Sequence, residues 1–142
     1  MAEVTMTTGL LDRFPALRRL GRIDRHIPVI QQLSATECGP TCLAMVLGYH
    51  GKTMSREELR DVLTTGRDGS SARDLLNAAR FLGLRGRGVK VELSGLKHLP
   101  RASILHWEFN HFVVFEALSA DGVDIVDPNH GRRHVSMEEM NR

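Results

Sequence analysis

The hydrophobic period of this chain changes once, near Gly83, and that change limits the folds open to it. Before it, apolar residues recur at helical spacing. Leu59, Val62 and Leu63 do so in "SREELRDVL", and Leu75, Leu76, Ala79 and Leu82 in "SARDLLNAARFLG". After it, "LRGRGVKVEL", "ASILHW", "HFVVFEAL" and "GVDIVD" alternate or run apolar over strand lengths. Helices first and neighbouring strands second specify an α+β domain, an N-terminal helical half packed on a C-terminal antiparallel sheet.

Local punctuation supports these elements. Residues 38–50 are apolar on most sides and predict a buried helix closed by Gly51. Ser55 with Glu58, and Ser136 with Glu139, have the spacing of capping boxes, so the chain ends inside a starting helix. "TTGRDGSS" is expected as a loop, "ASILHW" and "HFVVFEAL" as a hairpin around "EFN", and Pro128 as the stop of the strand before it. "GLRGRG" precedes no helix and reads as strand, not as a phosphate-cradling loop.

The chain of 142 residues is long enough for one well-buried core. Its 42% apolar and 25% charged content is that of an ordinary globular domain. A formal charge of +2 and few aromatic residues give no footprint for nucleic acid, so no nucleic-acid partner is expected. No apolar run approaches a membrane span. Asp12, Arg13, Arg18 and Arg19 interrupt any secretory signal core, which makes a cytoplasmic, reducing location the expectation. Residues 1–26 differ in character: Leu10, Phe14 and Leu17 share a helical face among arginines, with Pro15 and Gly21 as breaks. They are expected to form a basic, amphipathic extension that docks on its own domain or stays mobile, ahead of a domain over residues 27–142.

The chemistry concentrates around "QLSATECGPTCLAMVLGYHG". Cys38 stands where the first helix begins, and a helix N-terminus favours a thiolate over a thiol. Pro40 suits a first turn that needs no donor, whereas Glu37 works mildly against ionisation, so a nearby imidazole is required. Cys42, one turn further in, is expected to be a core residue. The cysteines at i, i+4 are poorly placed for a disulfide, and the paired Cys and His spacings of zinc sites are missing, so neither a metal nor another cofactor is expected. For a Cys-His-Asp arrangement the partners must come from the second half. His111 opens one strand and Asp127 closes another, but His106 flanks the same hairpin turn and is nearly as good a candidate.

Four blocks, "QLSATECGPTCLAMVLGYHG", "DGSSARDLLNAARFLGL", "ILHWEFNHFVVF" and "VDIVDPNHG", together resemble the double-glycine leader peptidase domain, over roughly residues 28–136. This is the papain-like cysteine peptidase at the N-terminus of bacteriocin-processing ABC exporters. The resemblance implies that Cys38 is the nucleophile, His111 the base and Asp127 its orienting carboxylate. It also puts the family's glutamine, six residues before the nucleophile, on Gln32 rather than Gln31, as an oxyanion donor. The implied activity is removal of a leader peptide after a Gly-Gly or Gly-Ala pair. The implied partners are a precursor peptide and the transmembrane and ATP-binding domains of an ABC exporter at the cytoplasmic face of a bacterial inner membrane. A non-cleaving leader-binding module is the rival reading. A fragment of a longer exporter and a free-standing peptidase would both end as this chain does.

Overall fold

The computed structural model describes the backbone of residues 2–8 and, in full, residues 26–63, 69–107 and 111–142. The amphipathic stretch around Phe14, most of the "TTGRDGSS" loop and the "EFN" turn lie outside them. The described residues of the first half include three α-helices: α1 (Cys38–Tyr49), α2 (Arg56–Val62) and α3 (Ala72–Phe81). Ser55 caps α2 in the expected reciprocal box with Glu58. Ser71 and Asp74 form a second such box on α3, which an Asp at the third helical position serves as well as Glu. Gly51 takes a φ of +81°, the left-handed conformation that ends α1.

The strands are β1 (Ala2–Thr8), β2 (Leu84–Lys90), β3 (Ile104–Trp107), β4 (His111–Leu118), β5 (Gly122–Asp127) and β6 (Gly131–Ser136). They form one antiparallel sheet in the order β2-β1-β3-β4-β5-β6. A final turn of helix, α4 (Met137–Met140), is capped by Ser136. The α+β class, with a helical half on an antiparallel sheet, is the one observed.

Two features go beyond the sequence reading. Residues 2–8 dock on the domain as a strand, because β1 lies between β2 and β3 and pairs with both. "AEVTMTT" is rich in β-branched residues, which favour extended backbone, but its partners are more than 75 residues away and leave no local trace. The strand β6 also goes beyond that reading, since "GRRHVS" carries arginine and histidine in place of an alternating apolar face.

The central strands β3, β4 and β5 are buried on both faces. Ile104, Phe112, Val114 and Val126 pack with α1, α2 and α3 in one core. Leu105, Trp107, Val113, Phe115, Val123, Ile125 and Val135 form the other, beneath the turn Leu93–His98 and Met140. Residues of β3, β4 and β5 therefore alternate between two cores, as the period of 2 requires. A bulge between Phe115 and Ala117 sets the register of β4 against β5. Ala117 pairs with Asp124, yet Phe115 pairs with Ile125 and Val114 with Val126. Without the extra residue the pairing would slip by one, and Asp127 would leave the face that carries His111, Val113 and Phe115.

Candidate active site

Three segments converge at the end of the sheet nearest the start of α1. Cys38 is the first residue of that helix and is 6% exposed. His111 is the first residue of β4, and Asp127, 2% exposed, is the last of β5. His111 Nε2 stands 2.9 Å from Asp127 Oδ1. Its ring also hydrogen-bonds with Cys38, and with Nε2 committed to the carboxylate the nitrogen left for sulfur is Nδ1. The turn after β5 closes back on the same carboxylate: the N–H of Asn129 donates to Asp127 Oδ1 at 2.8 Å. Gly131, at φ +79°, allows that turn to re-enter the sheet as β6.

The protonation of the three groups follows from this packing. Burial pushes the Cys38 thiol up, but the hydrogen bond with His111, contacts with the backbones of Phe112 and Gly39, and the imidazolium charge outweigh it. The net shift is downward from the ordinary thiol value. The bond to Asp127 and then that to Cys38 raise His111 to about 9, against the cost of burial. Burial also works against ionising Asp127, yet the bonds from His111 and Asn129 hold it down at about 2. A thiolate–imidazolium pair backed by a carboxylate is the state these directions favour.

The concern over Glu37 is met by its neighbours. Its carboxylate does not cap α1; it pairs with Arg60 and accepts from the Leu33 N–H at 3.1 Å, so its charge is compensated beside the thiol. Cys42 behaves as expected of core. It is fully buried, its Sγ donates to the Phe112 carbonyl at 3.2 Å, and burial pushes its thiol well up. Both cysteines are free thiols. His106 is turned to structural use, its ring stacked on Phe112 with centroids 4.6 Å apart.

Gln32 reaches the site through its backbone. Its N–H donates to the Pro128 carbonyl at 2.8 Å, which ties the segment before α1 to the residue after Asp127. Its side-chain Oε1 is buried and has no hydrogen-bond partner among the described residues. Gln31 is exposed, and its carbonyl accepts from Arg56. Beside the nucleophile, Ile30, Pro40, Ala44 and Leu59 line a cavity of ≈ 260 Å³ rimmed by Glu37 and Arg60. Two residues near Asp127 went unremarked in the sequence: His130, whose Nδ1 is 3.4 Å from Oδ2, and Arg133, 3.7 Å from the same oxygen. His130 ends the turn after Asp127 and Pro128 and Arg133 lies on β6, where the local surplus of histidine and arginine is the one available signal.

Residues 26–142 match the peptidase C39 family. The chain belongs to that family. The colicin V secretion/processing ATP-binding protein CvaB of Escherichia coli is 37% identical over 121 residues, which are 85% of this chain and 17% of that protein. This C39 chain thus spans about a sixth of the length of the exporter it resembles. Among solved structures, a double glycine motif protease from an AMS/PCAT transporter, in complex with the leader peptide, is 40% identical. It superposes with a TM-score of 0.77 over 86% of this chain and 88% of its own. The peptidase domain of Streptococcus ComA, a bifunctional ABC transporter of a quorum sensing pathway, is 26% identical with a TM-score of 0.74, covering 82% of this chain and 90% of that one. A C39 domain is a peptidase, and the sheet, helices and site described above are built on that scaffold. No helix among the described residues is long and apolar enough to cross a membrane.

Proposed function

We propose that this domain is a cysteine endopeptidase that removes the leader of a peptide precursor after a Gly-Gly or Gly-Ala pair. The observation that carries the reading is the unbroken chain of side-chain hydrogen bonds from Cys38 through His111 to Asp127. In this mechanism the Cys38 thiolate attacks the scissile carbonyl carbon, forming a C–S bond and placing negative charge on the carbonyl oxygen. The Gln32 side-chain amide and the Cys38 N–H donate to that oxygen. His111, protonated at the start, gives its proton to the leaving amine as the C–N bond breaks. Water then attacks the thioester with His111 as base, which releases the leader acid and restores the thiolate. Asp127 holds the ring in the required tautomer throughout.

The substrate class follows from the relatives, one of which was solved with its leader peptide. The apolar cavity beside Cys38 suits aliphatic side chains upstream of the cut, and two glycines suit the close approach to a buried thiol. The proposed setting is an ABC exporter whose transmembrane and ATP-binding domains move the released peptide, with this domain on the cytoplasmic side. The test is to incubate the domain with double-glycine leader peptides and locate the cut by mass spectrometry. Cleavage directly after the small pair supports the proposal. Binding without any cleavage by an alkylatable Cys38 would replace it with the tethering role.

A further inference from the structure

Asp127 is a buried carboxylate with two oxygens, and only one of them is used by His111. The other, Oδ2, faces His130 and Arg133. His130 is 61% exposed and sits at the outer limit of a hydrogen bond. Arg133 is the permanent cation of the pair, since a guanidinium does not lose its proton. Its side chain is held from two further directions. One nitrogen donates to Glu139 Oε1 of α4 at 2.5 Å, and the guanidinium lies 5.9 Å from the ring centre of Trp107. Trp107 is itself buried and is the cross-strand partner of His111.

The guanidinium therefore touches the neighbours of His111 on both sides, Trp107 on β3 and Asp127 on β5. Alternation along β6 puts Arg133 with Val135 on the sheet face that carries Val123, Ile125 and Asp127. At 3.7 Å from Oδ2, an attraction of fixed charge holds the carboxylate plane without competing for the bond that Oδ1 makes to the imidazole. Glu139 anchors the other end, because its own N–H is held by Ser136 at the start of α4.

We propose that Arg133 is a positioning residue for the Cys38–His111 pair: braced by Glu139 and Trp107, it fixes the second oxygen of Asp127 and so the angle at which His111 meets sulfur. The inference rests on the reading of Cys38 and His111 as the reacting groups, and it makes the C-terminal helical turn part of the catalytic framework. A merely structural Arg133 would lower stability and leave the thiol's reactivity alone.

The experiment is a double-mutant cycle on Arg133→Gln and Asp127→Asn, read by the rate at which iodoacetamide alkylates Cys38 at neutral pH and by kcat and KM for a double-glycine leader peptide. Arg133→Gln is expected to slow alkylation and kcat about tenfold with KM nearly unchanged, and Arg133→Lys to recover part of the loss. In the Asp127→Asn background the same substitution is expected to cost less than about twofold, since the oxygen it fixes is gone. Glu139→Gln, which loosens the brace without touching the carboxylate, is expected to slow alkylation about twofold in the wild-type background only. It carries the test if Arg133→Gln does not fold. Equal losses in both backgrounds, or an unchanged alkylation rate, would overturn the proposal. Alkylation needs no peptide, so a domain that cleaves no leader but shows the coupling would sink the functional reading and keep this one.

Discussion

His111 and Asp127 lie 16 residues apart in sequence and 2.9 Å apart in space, at the adjoining ends of two antiparallel strands. A strand end packed between two cores gives an imidazole little freedom. His111 is anchored by Phe112 and Val114 below and Val113 and Phe115 above. The ring is thus presented to Cys38 in a geometry that the carboxylate refines and need not create.

Cys38→Ala is expected to abolish cleavage while leader affinity changes by less than about threefold, because the thiol makes the covalent bond and the cavity walls make the contacts. Cys42→Ser is expected to keep most activity and to cost about 1–3 kcal/mol of stability, from a hydroxyl in an apolar core. Leader cleavage by mass spectrometry, peptide binding by titration calorimetry and thermal unfolding check these outcomes. Equal inactivation by the two substitutions would remove Cys38 as the single nucleophile.

The pH profile is the second prediction. Cleavage should rise on the acid side as the Cys38 thiol ionises, earlier than an ordinary thiol, and fall again near 9 as His111 loses its proton. Alkylation should show the rise without the fall, because it needs the thiolate and no general acid. A cleavage rate that stays high well above 9 would show that His111 need not be protonated in the free enzyme.

Stability should carry the same signature with opposite signs for the two partners. Asp127 is depressed from 3.8 to about 2, so its contribution is present above 3.8 and lost as pH falls toward 2. His111 is raised from 6.5 to about 9, so its contribution is present below 6.5 and lost as pH rises through 9. The two shifts share the His111–Asp127 hydrogen bond and are not summed; the loss at either end is on the order of 2 kcal/mol. Urea unfolding at a series of pH values should show Asp127→Asn flattening both limbs.

His111→Ala is expected to lower kcat by orders of magnitude and to slow alkylation of Cys38 at neutral pH, since the thiolate loses its ion-pair partner. His106→Ala should leave alkylation nearly unchanged and cost about 1 kcal/mol of stability, from the lost stack on Phe112. The reverse pattern would move the reacting pair to the other arm of the hairpin.

Gln32→Ala is expected to lower kcat about 100-fold with a small change in KM, as befits a donor that meets charge only in the transition state. Gln32→Glu, similar in size but an acceptor, should do at least as badly, and Gln31→Ala should be close to wild type. A rise in KM with kcat intact would assign Gln32 to leader binding.

Much of this site was legible one segment at a time. Caps, breakers and apolar spacing are properties of neighbouring residues, and they put Cys38 at a helix start, His111 at a strand start and Asp127 before a proline. The resemblance to leader peptidases then selected His111 over His106 and Gln32 over Gln31. What no local pattern carried was the pairing of distant backbone. β1 sits between β2 and β3 through hydrogen bonds to residues 84–90 and 104–106, and β6 takes its place with Arg132 and His134 outward and Arg133 turned to Asp127. The bulge at Glu116 that keeps Asp127 on the face of His111 exists only in the alignment of two strands. So do the compensation of Glu37 by Arg60 and the brace of Arg133 on Asp127. Local free energies choose helix or strand within a few residues, but register and charge contacts depend on which strands meet, and only the packed sheet decides that.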